Sequence, residues 1–114
     1  MAASPVIDHP YQVCDLNDAF RRSFTGGQVT LTAGVAALPE APRAAILAAV
    51  RGFDAFDAHD DPHGDRDFGA VEVGEVHCFW KIDCYDRDLR FASPDPTDPA
   101  ETVRVLTVRL AEEY

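Results

Sequence analysis

The sequence lacks several features that would place it in a familiar class. It has three cysteines and no Cys-x-x-Cys pair, which argues against a disulfide framework or a zinc ribbon. No apolar run approaches the roughly 20 residues that a bilayer-spanning helix needs. The first residues of the chain also lack the basic and apolar regions of a secretion signal. We therefore expect a cytoplasmic protein whose thiols are free.

Basic residues are scarce as well. Ten Lys and Arg residues face twenty Asp and Glu residues, which gives a formal net charge of −10. Proteins that bind nucleic acids or anionic membranes neutralise phosphates with Lys and Arg, so direct binding of either is disfavoured. The balance favours a positively charged protein or nucleoprotein partner. The simpler alternative is that the charge only keeps the protein in solution.

Recognisable catalytic motifs are missing too. The tripeptide Asp67-Phe68-Gly69 matches the metal-binding motif of protein kinases, but the chain lacks the glycine-rich loop and the other kinase segments. His77 and Cys78 are adjacent, so on a strand their side chains point to opposite sides. We expect a protein without catalytic residues and without a cofactor.

What the sequence does contain is the pattern of one small α+β domain. Its 114 residues suit a single core. We predict an irregular lead-in at residues 1–12 and a domain at residues 13–114. In that domain an antiparallel sheet, made of a short strand and a β-meander, packs with about three α-helices.

Two helices are predicted by apolar spacing of three and four residues. The first spans residues 15–24, with Asp15 as its N-cap and Gly26-Gly27 ending it. Its predicted core face consists of Leu16, Ala19, Phe20 and Phe24. The second spans residues 39–53, with Pro42 in its first turn and a core stripe made of Ile46, Leu47, Val50 and Phe53.

The strands are predicted by alternating polarity and turn residues. A short strand covers residues 28–33, and a hairpin joins residues 68–73 to residues 76–85 through Gly74-Glu75. Cys78 and Cys84 share the face of Trp80 and are expected in the core. A brief third strand is predicted at residues 89–91.

The last segment, residues 102–113, is predicted as a helix because Asp98, Pro99 and Glu101 resemble an N-cap, a first-turn proline and a capping-box acid. The β-branched Val103, Val105 and Val108 make a strand the competing interpretation.

Between the second helix and the hairpin lies an acidic loop, residues 54–67. Its carboxylates are the main candidates for contact with a partner, and they are Asp57, Asp60, Asp61, Asp65 and Asp67. With His59 and His63 they also offer ligands for a metal ion. An EF-hand is excluded, since Pro62 stands where that loop needs glycine. We expect a solvated loop without bound metal.

A second candidate surface lies on the hairpin. Aromatic anchors mixed with polar residues are typical of partner-binding patches. The residues concerned are Phe79, Lys81, Asp83, Tyr85 and Arg87. The alternative is that a helix covers this face.

Four segments together resemble an uncharacterised alphaproteobacterial domain-of-unknown-function family, number three-seven-six-eight. They read LNDAFRR…GGQVTLTAGVAALP, DPHGDRDFGAVEV, FWKIDCYDRDLRFASPDPTDP and RVLTVRLAEEY. Members of that family look like small single-domain proteins, often encoded on mobile elements near antirestriction-type genes. The resemblance implies a genetic neighbourhood and carries over no binding or catalytic residue.

Acidity and resemblance together predict a non-enzymatic protein-binding protein. The sharpest hypothesis is an anti-CRISPR or antirestriction inhibitor that acts as a DNA mimic, with the acidic-loop carboxylates in place of phosphates. One alternative is a regulatory or assembly module that self-associates, as a homodimer for example, through residues 79–91. The other alternative is a small metal-dependent enzyme that uses the loop.

Overall fold

A computed structural model describes residues 12–113, so the predicted lead-in lies outside the described residues except for Gln12. Three α-helices, four strands and a short 3-10 helix follow one another along the chain. In order they are α1 (Val13–Ser23), β1 (Gly27–Leu31), α2 (Ala33–Ala36), α3 (Glu40–Arg51), β2 (Phe68–Val73), β3 (Val76–Tyr85), β4 (Val103–Leu110) and the 3-10 helix Ala111–Glu113. In this part of the chain no helix is long and apolar enough to cross a membrane.

The strands form one sheet in the order β1-β4-β3-β2. β3 runs antiparallel to both of its neighbours, whereas β1 pairs with β4 in parallel. The predicted α+β class is confirmed, but the sheet is mixed rather than purely antiparallel. The parallel pairing arises because β1 is followed by two helices and a hairpin before the chain returns as β4, next to it.

The predicted hairpin is confirmed at both strand boundaries. Val73 pairs with Val76 across a two-residue turn, and Gly74 has φ +61°. Such turns require left-handed backbone, which glycine adopts without steric cost. The position of this glycine therefore sets the register of the whole hairpin.

The prediction for the last third of the chain is wrong in two places. Residues 103–110 form β4 rather than a helix, because Leu106 and Val108 alternate into the core while the chain pairs with strands on both sides. Tertiary pairing thus overrides the capping signals of Asp98 and Glu101. Residues 89–91 form no strand, since Leu89 adopts φ +59° in a turn and only an isolated bridge joins Tyr85 to Ala92.

The helices all contribute to one core on one face of the sheet. Helical Phe20, Val35, Ile46 and Val50 are buried there. From the strands come Val71, Cys78, Trp80, Ile82, Leu106 and Val108. Side chains on the opposite face point away from this core, and none of them is buried. The described part of the domain is therefore a two-layer structure, with helices on one face of the sheet only.

Two details of the helices differ from the predictions. α1 begins after Gln12, so Asp15 lies in its first turn and is not the N-cap. Its buried face consists of Asn17, Phe20 and Arg21, whereas the predicted core residue Ala19 is exposed. In α3 the predicted stripe is confirmed in part: Ile46 and Val50 are fully buried and Leu47 is partly buried, but Phe53 lies beyond the end of the helix and packs against the core from there. The short helix α2 has no counterpart in the predictions.

Candidate protein-binding surfaces

One end of the sheet gathers two loops that are far apart in sequence. Residues 54–67 lead into the start of β2, and residues 86–102 run from the end of β3 to the start of β4. Phe68 lies opposite Lys81, and Tyr85 lies opposite Val103, so both loops leave the sheet at the same end. We call the two segments together the acidic end.

The name follows from their composition. The two segments hold eleven of the twenty acidic residues of the chain and only three of its ten basic ones. Two of the remaining basic residues, Arg21 and Arg104, are buried, so a partner that binds this end would contact the carboxylates and not these two guanidinium groups. The fold therefore concentrates a chain-wide excess of negative charge at one end of the domain.

The guanidinium of Arg21 anchors the first loop although no part of that side chain is exposed. It donates hydrogen bonds to the backbone carbonyls of Val50 (3.1 Å) and Phe53 (2.8 Å), where α3 passes into the loop. It also lies 5.2 Å from the ring centroids of Phe56 and Trp80, within cation-π range. The charge of Arg21 thus fixes the path of the loop's first residues.

Asp18 connects this anchor to the far side of the loop. One of its oxygens accepts a hydrogen bond from Arg21 (2.8 Å) and the other accepts one from Arg66 (2.7 Å). Burial alone would raise the pKa of the Asp18 carboxyl, but the hydrogen bonds and the positive charges of Arg21 and Arg66 together outweigh it and hold that pKa below its ordinary value. The carboxylate is therefore stabilised in its charged form.

This lowered pKa predicts a loss of stability in acid. The stabilisation from Asp18 is complete above its unfolded pKa of about 3.9 and is lost as the pH falls through the lower folded value. Asp18→Asn is expected to be less stable than the wild type near neutral pH, and the difference is expected to shrink as the pH falls through the lowered folded pKa. Urea unfolding of both proteins across this range measures the effect. Stability curves that run parallel at all pH values would contradict it.

Asn17 and Arg104 join the two loops. Asn17 Nδ2 donates to the Asp65 carbonyl (2.9 Å) in the first loop, and its Oδ1 accepts from Arg104 Nε (2.8 Å). Arg104 also donates to the carbonyl of Pro96 in the second loop. Asn17 and Arg104 are buried, so this chain of bonds holds the loops together from the inside.

The predicted loop carboxylates differ in what they do in the structure. Asp57 and Asp61 shape the backbone: Asp57 Oδ1 accepts from the N–H groups of His59 and Asp60, and Asp61 Oδ2 accepts from that of Arg66. Asp60 is exposed. Asp65 and Asp67 lie close to the start of β2, where burial chiefly raises the pKa of Asp67 and the nearby Asp65 and Asp61 add to that effect. The loop therefore presents several carboxylates close together.

Within residues 12–113 no three His, Cys, Asp or Glu side chains come together in a way that would hold a metal ion. His77 pairs with Glu72 (2.8 Å) on the exposed face, while Cys78 points into the core. Burial raises the pKa of the Cys78 thiol, which disfavours the nucleophilic thiolate. These residues do not form a nucleophile and base pair.

The second predicted surface lies on the sheet face opposite the core, which we call the open face. Phe79, Lys81, Asp83 and Tyr85 alternate along β3 on this face, as predicted. Lys81 Nζ and Asp83 Oδ1 form an ion pair at 2.6 Å. The described helices cover the other face instead. Arg87 is exposed in the turn after β3.

Three residues of the open face were missed by the predictions. Phe68 of β2 stacks on Phe79, with ring centroids 5.8 Å apart. Thr107 and Arg109 of β4 line a cavity of about 140 Å³ together with Phe68, Phe79, Lys81 and Asp83. The alternation of side chains along residues 103–110 is the sequence signal for β4, but a helix is predicted there instead, so the open-face residues of β4 are not predicted. The sequence predicts Phe68 on the hairpin but does not predict that its ring stacks on Phe79 of the neighbouring strand.

Comparison with known proteins gives a family but no activity. The chain matches the model of a family described as "Protein of unknown function (DUF3768)" over residues 31–113. The match includes both loops of the acidic end and all of β2, β3 and β4. No curated protein and no solved structure matches the chain.

Proposed function

The chain belongs to this family of unknown function, DUF3768, and we propose that it is a non-enzymatic protein that binds a positively charged partner through its acidic end. The observation that carries the proposal is the convergence of the two loops, which places eleven acidic residues at one end of the domain with three basic ones. The excess of acidic residues in the sequence does not by itself require this convergence, because the same carboxylates could be spread over the whole surface.

The way the loops are held supports a binding role. Folding brings like charges together at a cost, because each raises the free energy of the others. Buried Arg21, Asn17 and Arg104 hold the loops in place by hydrogen bonds on their inner side. Because these bonds do not use the exposed carboxylates, those carboxylates stay in contact with solvent. A cationic surface would relieve the repulsion on binding and would be attracted from a distance.

The finer proposal concerns the class of partner. Proteins that hold nucleic acids line their channels with Lys and Arg. A fixed cluster of carboxylates can occupy such a channel and exclude the phosphates. We propose that the partner is a nucleic-acid-binding effector, such as a CRISPR or restriction complex, and that the protein inhibits it. The mobile-element neighbourhood implied by the resemblance is the reason for naming this class.

The test is affinity capture from a host lysate that contains such effectors, at low and moderate salt, with mass spectrometry of the bound proteins. We expect a nuclease or effector subunit that is released as the salt concentration rises. We also expect duplex DNA to compete with the protein for that subunit. Capture of only salt-insensitive partners, or of none that binds nucleic acid, would contradict the proposal.

A matched pair of variants tests whether the acidic end is responsible. The first carries Asp60→Asn, Asp65→Asn and Asp67→Asn, and it is expected to lose the salt-sensitive capture. The control carries Glu40→Gln, Glu75→Gln and Glu112→Gln, which removes the same charge from exposed positions outside the acidic end. Equal loss in both variants would show an effect of net charge alone.

A second candidate function is self-association through the open face. The observation that favours it is charge balance: the strand residues of this face include Glu72 and Asp83 against Lys81 and Arg109, around the stacked Phe68 and Phe79. Copies of a strongly acidic chain repel one another least through a neutral face. Light scattering of the wild type and of Phe79→Ser tests it, because a dimer that the substitution dissociates supports assembly and a monomer in both argues against it.

A further inference from the structure

The strand β2 lies at one edge of the sheet, and half of its backbone groups point away from β3. The N–H of Ile82 donates to the Asp67 carbonyl (2.8 Å) just before the strand begins. Hydrogen-bonded and outward-facing residues alternate along an antiparallel strand. Gly69, Val71 and Val73 therefore bond to β3, while Phe68, Ala70 and Glu72 direct their N–H and C=O groups outward.

Apart from the charge of Glu72, this edge carries none of the sequence features that usually prevent pairing with another chain. Its sequence, FGAVEV, has no proline and no lysine, and its register with β3 is unbroken from Phe68 to Val73. Within residues 12–113 no strand pairs with its outer side. An extended chain with free backbone donors and acceptors is the chemical complement of such an edge.

Space for the side chains of that extended chain is present beside the edge. A cavity of about 360 Å³ crosses it at residues 68–70. Phe53 and Phe56 line the cavity on the helical side, and Phe68 and Phe79 line it on the open face. Successive side chains of a strand point to opposite faces. A paired strand would thus place one apolar side chain against each aromatic pair.

Acidic residues beside β2 favour a bound strand whose polar side chains are positively charged. Asp60 lines the same cavity, and Glu72 is the only charged residue of β2. Both side chains are exposed, and a strand beside them would gain from Lys or Arg at its polar positions.

We propose that β2 is a docking site for an extended segment of another protein, in which apolar and basic residues alternate, and which adds to the sheet as a fifth strand. This proposal depends on the proposed function in one respect, the positive charge of the partner. It adds that the partner is held by backbone hydrogen bonds as well as by its charge.

The probe is a capped peptide of about seven residues that alternates lysine and valine, with a glutamate-valine peptide as its counterpart. Titration is expected to give binding of the lysine peptide only, and to slow hydrogen exchange at the amides of Phe68, Ala70 and Glu72. Methylation of the peptide nitrogens that face β2 is expected to abolish binding. Equal binding of the methylated peptide would overturn the proposal.

Two substitutions at one exposed position form the matched pair. Ala70→Pro removes an outward N–H without touching the bonds to β3, and is expected to weaken peptide binding about tenfold or more. Ala70→Ser keeps the backbone donor and is expected to bind as the wild type does. Unchanged binding by folded Ala70→Pro would overturn the proposal; should that variant unfold, the methylated peptide decides the question alone.

The remaining outcomes separate this inference from the proposed function. Glu72→Lys is expected to weaken binding of the lysine peptide and to strengthen binding of the glutamate peptide. Ala70→Pro leaves every carboxylate in place, so peptide binding that fails while salt-sensitive capture persists overturns the docking site and not the acidic end. A wild-type homodimer that Ala70→Pro dissociates would mean that a second copy occupies the edge, and would also overturn the proposal.

Discussion

Arg21→Ala is expected to lower the free energy of unfolding by about 3 to 5 kcal/mol. The substitution removes three hydrogen bonds at once, takes the Arg21 donor from the Phe53 carbonyl and leaves the Val50 carbonyl with only the N–H of Phe53 (3.3 Å). It also opens a gap between Phe56 and Trp80, both of which contact the guanidinium. Urea unfolding followed by the fluorescence of Trp80, the only tryptophan in the chain, measures the change.

Arg22 provides the control for Arg21. It is the next residue of α1, carries the same charge and is exposed, so Arg22→Ala is expected to change the stability by no more than about 0.5 kcal/mol. Arg21→Lys is expected to fall between the two, because an ammonium keeps the charge but not the planar set of donors. Similar losses for Arg21→Ala and Arg22→Ala would mean that the buried guanidinium does not hold the loop.

Gly69→Ala is expected to destabilise the protein by about 1 to 3 kcal/mol, although it adds a single methyl group. A Cβ at this position would lie 2.5 Å from Trp80 Nε1 and 2.9 Å from Phe53 Cζ. Trp80 is fully buried, so its ring has no room to move away from the added methyl group, and Phe53 packs against that ring. Thermal unfolding of the variant beside the wild type measures the loss as a lower melting temperature.

The matched control for Gly69 is another glycine. Gly52, at the end of α3, has φ −89°, and a Cβ there would meet only the Ala48 carbonyl at an ordinary 3.5 Å. Gly52→Ala is expected to leave the stability unchanged or to raise it by up to about 1 kcal/mol, since alanine restricts the unfolded chain. A melting temperature lowered equally by both substitutions would contradict the steric explanation.

The sequence predicted best the elements whose signals are local. The hairpin is specified by alternation on both strands and by a glycine at the one turn position that needs left-handed backbone, so it was predicted to the residue. The stripe of α3 is equally local, because Ile46 and Val50 lie one turn apart and both are buried.

The last segment shows where local signals fail. Asp98 and Glu101 do shape turns, since Asp98 Oδ1 accepts from the N–H of Ala100 and the Glu101 N–H donates to the Asp98 carbonyl. These turns deliver the chain into β4 rather than into a helix. The deciding interaction is pairing with β1 and β3, which come from elsewhere in the chain and cannot be read from residues 98–113.

The candidate surfaces were predicted in part. The acidic residues and the open-face residues of β3 were visible as composition and alternation, but not the buried groups that hold the loops. Arg21, Asn17 and Arg104 are polar residues inside the core, and hydropathy assigns such residues to the surface. Their bonds to carbonyls of distant segments depend on the tertiary structure alone.

The most direct test of the acidic end as a binding surface is the salt dependence of affinity for the captured partner. The Kd of the purified pair would be measured over a range of salt concentrations for three proteins: the wild type, the variant with Asn at positions 60, 65 and 67, and the control with Gln at positions 40, 75 and 112. We predict a steep dependence of log Kd on log salt for the wild type and the control, and a shallower one with weaker binding for the Asn variant. The same slope for all three proteins would contradict binding through the acidic end.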